Sequence, residues 1–140
     1  MTRRVLLDTG PLVAFLNRGD QYHEWARGQF GEISPPMLTC ESVLAETCHL
    51  LRAARGGCDR VMALLQRGVL ALPFRLNDHA ESVARLMAKY ADVPISLADA
   101  CLVRMTETND DCAVLTLDSD FRLYRRHGRG VIPVLMPSSP

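Results

Sequence analysis

The chain has 140 residues, enough for one domain with a buried core, and it contains no apolar run long enough to span a bilayer. Lys plus Arg equals Asp plus Glu at 16 each, a balance that excludes a general polyanion binder but leaves room for a local basic patch. The N-terminal residues carry positive charge without the apolar stretch and cleavage site of a signal peptide, so a cytoplasmic location is expected.

Residues 4–7 read as a short buried strand, closed by Asp8 and the Gly10-Pro11 breaker. Leu12, Val13, Phe15 and Leu16 then follow helical spacing, with Pro11 at a favourable first position. A turn at Arg18-Gly19-Asp20 leads to a second helical piece over 21–30; as a recognition motif the Arg-Gly-Asp triplet reads as accidental. Ser34-Pro35-Pro36 breaks the chain before an apolar run at 37–40. The pattern predicts a helix over 41–55, stopped by Gly56-Gly57, and another over 59–67. A strand is predicted over 69–74, ended by Asn77-Asp78, then a helix over 80–90 and one from Ser96 to about residue 108. A strand over 113–117, a helical turn over 121–126 and a last strand over 131–135 complete the chain, which has no repeat or linker. Strands alternating with helices imply a parallel sheet covered on both faces, in one domain spanning 1–140.

The five cysteines (Cys40, Cys48, Cys58, Cys101, Cys112) are odd in number and form no C-x-x-C pair. Buried free thiols are therefore expected, and Cys48-His49 is a weak lure for zinc.

Asp8-Thr9-Gly10 matches the triplet of retroviral-type aspartic proteases, but those enzymes are nearly all β, whereas helical spacing follows the triplet here. The context excludes the protease. In a parallel α/β sheet every strand ends on one edge, and the following helix begins there. Asp8 follows the first strand and Asp118 the strand at 113–117, with Asp120 two residues on. Glu46 lies about 7–8 Å along the helix after the 37–40 strand. Asp99 sits in the first turn of the helix opened by Ser96, again at that edge. Each acid has an ordinary explanation: Asp8 as a helix cap, Glu46 as a solvated helix residue, Asp99 within a Ser-x-x-Asp capping box, Asp118 and Asp120 as turn residues. Their convergence from separate segments points to chemistry. Two carboxylates 4 Å apart repel by about 4 kcal/mol at an effective dielectric near 20, and no Lys or Arg lies in the strand-end segments to offset Asp8, Glu46 and Asp99. Either some acids stay protonated or a divalent cation sits among them. Oxygen ligands without histidine suit Mg²⁺ or Mn²⁺, ions that activate water for phosphodiester hydrolysis.

With these residues in place, Leu-Leu-Asp-Thr at 6–9, "SVLAETCHLL" at 42–51, "SLADACLV" at 96–103 and "VLTLDSDF" at 114–121 resemble the PIN-domain nucleases, and among them VapC-type toxins of toxin–antitoxin pairs. Asp20, His23 and Trp25 in "RGDQYHEWA" fit the family's second helix, where a histidine is structural. The resemblance implies a PIN-like three-layer α/β/α sandwich and a Mg²⁺- or Mn²⁺-dependent endoribonuclease that leaves a 5′-phosphate and a 3′-hydroxyl. It implies Asp8, Glu46, Asp99 and Asp118 as the acidic quartet and metal ligands, Asp120 as a fifth acid, and Thr116 as the supporting hydroxyl, with Thr9 a weaker candidate. It also implies a homodimer with a helical, apolar interface, for which 12–16 and 44–51 are candidates, and a cognate antitoxin. Gly10-Pro11 departs from the small polar residue that many relatives carry there.

Among the basic residues after Asp118, Arg122 and Arg125 are the expected RNA contacts. Two competing readings are a PIN-fold RNA-binding or scaffold protein without turnover, and an aspartyl phosphatase with its nucleophile at Asp8. The phosphatase expects Asp-x-Asp, and position 10 is Gly10.

Overall fold

The computed structural model describes residues 3–138; residues 1–2 and 139–140 of the expected domain span lie outside them. Five parallel strands form one sheet in the order β3 (Leu70–Ala71), β2 (Met37–Leu38), β1 (Arg4–Leu7), β4 (Cys112–Leu115), β7 (Val134–Leu135). Helices α1 (Thr9–Leu16), α2 (His23–Glu32), α3 (Glu41–Leu50), α4 (Gly57–Gln66), α5 (Leu76–Lys89) and α6 (Leu97–Glu107) flank it. A small antiparallel ribbon, β5 (Arg125–Arg126) with β6 (Gly130–Val131), stands apart from the sheet.

Both faces of the sheet are covered, which is why its strands are apolar runs rather than alternating ones. Val5 and Leu7 point into a core with Leu12, Leu44 and Val61, whereas Leu6, between them, points into the opposite core with Val83, Leu102 and Val114. The architecture is thus the expected α/β/α sandwich. From β1 the chain steps outward to β2 and β3, then returns to lay β4 on the other side of β1. Ligands in open parallel sheets bind at such a reversal, beyond the carboxyl ends of the strands.

Local departures from the predicted elements have local causes. Helix α1 starts at Thr9, so Pro11 occupies its third position, where its missing N–H is still one of the four that have no intrahelical partner. Gly10 sits close to Leu117: a Cβ there would lie 3.2 Å from the Leu117 Cβ. Helix α3 ends at Leu50 rather than near residue 55 because α4 begins against its end. Gly56 adopts φ 68°, and a Cβ on Gly57 would stand 2.5 Å from the Leu51 carbonyl oxygen. This seating places Cys48 and Cys58 with Cα atoms 4.8 Å apart and joins them in a disulfide, correcting the expectation that every cysteine is a free thiol. Cys40, Cys101 and Cys112 are free and buried, as expected. Asn77 and Asp78 lie within α5 instead of ending a strand, and Asp78 pairs with Arg75 at 3.3 Å. The helical turn expected over 121–126 is a 3₁₀ turn at Ser119–Arg122 followed by β5; the chain reverses through His127 and Gly128, both at positive φ. The last predicted strand is accordingly split between β6 and β7.

Segments 12–16 and 44–51, suggested for a dimer surface, place Leu12, Leu16, Leu44 and Leu51 in the core and leave Leu50 54 % exposed. No helix of the described residues is long and apolar enough to cross a membrane.

Gly57→Ala tests the α3–α4 seating. The added methyl meets backbone, so we expect a loss of about 1–3 kcal/mol in urea unfolding. An unchanged midpoint would show that α4 does not sit against Leu51.

Candidate active site

The register of the two central strands builds the site. Leu7 pairs with Leu115, so the chains leave β1 and β4 level with each other, and Asp8 N–H donates to the Leu115 carbonyl at 3.0 Å. The Asp8 carboxylate is then held from two sides. Its Oδ1 accepts from Thr9 N–H at 2.8 Å, capping α1, and its Oδ2 accepts from the Thr116 hydroxyl at 2.7 Å. Thr116 Oγ1 in turn accepts from Asp118 N–H at 2.9 Å, and Asp118 Oδ1 accepts from Asp120 N–H at 2.9 Å, capping the 3₁₀ turn. Thr39 Oγ1 donates to the Leu7 carbonyl at 2.8 Å and ties the β2 end to the same edge. Asp99 arrives on α6, whose cap is Ser96 as the capping box implied: Ser96 Oγ accepts from Asp99 N–H at 3.0 Å. The Asp99 carboxylate lines the cleft, and its Oδ2 accepts from the Tyr124 O–H at 3.1 Å.

The cleft above these groups encloses about 580 Å³. Among the described residues its lining includes Asp8, Asp20, Glu46, Asp99 and Asp118, and no lysine, arginine or histidine. The quartet expected from the sequence is therefore gathered there, Glu46 reaching it from the exposed side of α3. Asp20, from the turn between α1 and α2, is an acid that sequence reasoning left outside the site.

Burial and mutual repulsion show in the acidities. Burial, reinforced by Asp118 and Glu46, pushes Asp8 up to about 6 although Thr116 and Thr9 pull it down. Burial, with the charges of Asp8 and Asp118, pushes Asp99 up to about 7 against the stabilising bonds from Tyr124 and Ser96. The Thr9 hydroxyl is buried in the cleft wall without a hydrogen-bond partner.

Tyr124 was not singled out in the sequence. It is fully buried, edge-on to Tyr90 and Phe121, and its one polar atom reaches Asp99. Its three-residue spacing from Phe121 is the only signal that could have found it. Asp120 does not line the cleft; its N–H donates to the Asp118 carboxylate, and its carbonyl accepts from Leu123 and Tyr124 N–H. Arg122 is exposed and Arg125 half-buried, and neither lines the cleft. The Arg125 guanidinium donates to the carbonyls of Arg122, Leu123 and Tyr124 at 2.8, 3.3 and 3.1 Å. His23 holds α2 to α1 through Nδ1 and the Ala14 carbonyl at 2.8 Å, the structural role expected of it.

A parallel sheet clad on both faces, with acids clustered beyond the strands at its reversal point, defines an α/β domain with a single-sign cleft. The chain belongs to the PIN-domain family, whose model matches residues 5–126. It is 27 % identical over 133 residues to Ribonuclease VapC26 of Mycobacterium tuberculosis, an alignment covering 93 % of each chain. Its fold is shared with the crystal structure of Mycobacterium tuberculosis VapC20, a Sarcin-Ricin loop cleaving toxin: TM-score 0.74, 21 % identity, 83 % of this chain and 91 % of that one.

The raised pKa values of Asp8 and Asp99 set a pH dependence. A carboxyl whose folded pKa lies above its unfolded value near 3.8 keeps its proton longer in the folded state. Without divalent metal, stability should therefore fall as pH rises from about 4 through about 7. Asp99→Asn keeps the acceptor for Tyr124 and removes the charge. In EDTA it should melt several degrees above the parent at pH 8 and close to it at pH 5. A variant that melts lower at pH 8 would mean the carboxylate is structural.

Proposed function

We propose that the chain, as a single PIN-like nuclease domain, is a divalent-metal-dependent endoribonuclease and the toxin of a toxin–antitoxin pair. The observation that carries this reading is the cleft itself, with five carboxylates facing one space and no cation among its walls. A scaffold without turnover has no use for repelling acids gathered in one cleft.

The donor set fits Mg²⁺ or Mn²⁺. Every candidate ligand is an oxygen, and histidine and cysteine are absent from the lining. Among the described residues no three acidic, histidine or cysteine side chains converge into a ready-made shell. That openness suits Mg²⁺, which is commonly held by one or two carboxylates and completes its shell with water and substrate phosphate. Asp8 and Asp99 would hold the ion, with Asp118 and Glu46 beside them and Asp120 left to its turn. When bound, the ion supplies a nucleophilic water and offsets charge on the phosphate and the leaving oxygen.

The chain's own residues make this productive by removing freedom. Thr116 and the Thr9 amide hold both oxygens of Asp8, and Tyr124 fixes one oxygen of Asp99. Asp118 spends Oδ1 on the turn, which leaves Oδ2 for the cleft. Glu46, exposed at the rim of the cleft, would take a proton from attacking water. Support for an RNA substrate and an antitoxin comes from the relative named a ribonuclease and the similarly folded toxin. An antitoxin lysine or arginine entering the cleft would take the cation's place.

The test is cleavage of a mixed RNA pool by the purified protein and by Asp8→Asn. Cleavage should require Mg²⁺ or Mn²⁺, stop in EDTA, and fall by at least about a hundredfold in the variant, the scale of a few kcal/mol of lost transition-state stabilisation. Undiminished cleavage by metal-stripped protein in EDTA would overturn the metal account.

A further inference from the structure

A second and larger cleft, about 760 Å³, opens at the far end of α1, lined by Phe15, Arg18, His23, Glu24, Arg27 and Arg60 among others. Its charge is the reverse of the acidic cleft: three guanidiniums against one carboxylate. Glu24 meets Arg27 only at 3.7 Å, with both side chains largely in solvent, so the pair is weak and leaves Arg27 available. Arg18 and Arg60 are exposed, and neither takes part in an ion pair among the described residues. In a chain of zero net charge, this is a local segregation of sign.

The turn between α1 and α2 is the wall shared by the two clefts. Asp20, Gln21 and Tyr22 face the acids, while Arg18 and His23 face the basic side. The Arg18-Gly19-Asp20 triplet, read as accidental in the sequence, sets one charge on each side of that wall. Helix α1 covers only about 10–12 Å from Asp8 to Leu16 at 1.5 Å per residue, so the clefts are a short length of nucleic acid apart. Phe15, half-buried and stacked on Phe30 with ring centroids 4.0 Å apart, forms the apolar floor beside the arginines.

We propose that this cleft binds the phosphate backbone of the RNA beside the scissile bond, with Arg18, Arg27 and Arg60 as the phosphate contacts in place of Arg125, whose guanidinium is spent on backbone carbonyls. The inference rests on the nuclease reading. An acidic segment of a protein partner is the competing occupant. RNA is favoured because the cleft adjoins an acidic site that itself repels phosphate and so needs positive charge next to it.

The probe is a labelled single-stranded RNA of mixed sequence, about 12 nucleotides long, within the range one binding module covers. Its affinity for the full chain is measured in EDTA across salt concentrations. Replacing Arg18, Arg27 and Arg60 together with alanine should weaken binding roughly tenfold or more at low salt. The slope of log affinity against log salt should fall by about 2, the loss of three single-strand phosphate contacts. All three are exposed, and an unchanged melting temperature confirms the fold. Replacing the exposed Arg75, Arg85 and Arg129 together is the control, and should leave the slope unchanged. Equal affinity and slope for parent and first variant would overturn the site, as would equal losses in both triple variants. So would an effect confined to a co-purified protein partner. Parent protein that cleaves this RNA with Mg²⁺ while the first variant binds it normally overturns the inference alone; parent that neither binds nor cleaves it overturns the nuclease reading as well.

Discussion

The level register of β1 and β4 is the constraint on which the site depends. Leu7 opposite Leu115 brings Asp8 beside Thr116, and the hydrogen bond between their side chains spans 108 positions of sequence. A slip of β1 by one residue would turn Leu6 out of its core and break that bond together, because strand side chains alternate between faces. The burial that stabilises the sheet is therefore the same burial that positions the acid. The neighbouring hydrogen bonds follow: Thr116 orders Asp118, and Asp118 orders the turn that delivers Tyr124 to Asp99.

That arrangement stores electrostatic cost. Two buried or half-buried carboxyls are held where their charged forms are disfavoured, and the hydrogen bonds from Thr116, Thr9 and Tyr124 recover only part of it. The fold tolerates this because the two cores are continuous and apolar around the site. A divalent cation bound there would relieve the repulsion. The arginines of the second cleft stand on the far side of one short turn, and none of them lines the acidic cleft.

The sheet, its covering helices and four of the cleft's acids were legible because each depends on local pattern plus one topological rule. Asp8, Asp118 and Asp99 mark strand ends or a helix start, and Glu46 sits on the helix after a strand. What escaped depends on tertiary placement. Asp20 looks like any turn residue until the α1–α2 loop is folded over the cleft. Tyr124 stood in a run read for its arginines, and its partner lies 25 residues away. The Cys48–Cys58 bridge follows from how α4 seats on α3, which spacing alone does not show. The β5–β6 ribbon was hidden because its turn uses His127 at positive φ beside Gly128, a weaker signal than Asn-Gly.

The central claim is that the acids at the strand reversal form a divalent-cation site, and it is tested most directly by crystals of the protein grown with Mn²⁺ and measured for anomalous scattering. The account expects a peak inside the acidic cleft, within about 2.0–2.5 Å of carboxylate oxygens of Asp8 and Asp99, the range for hard cations on oxygen. Well-diffracting crystals in millimolar Mn²⁺ with the cleft accessible and no peak there, or with the only peak elsewhere on the chain, would contradict it.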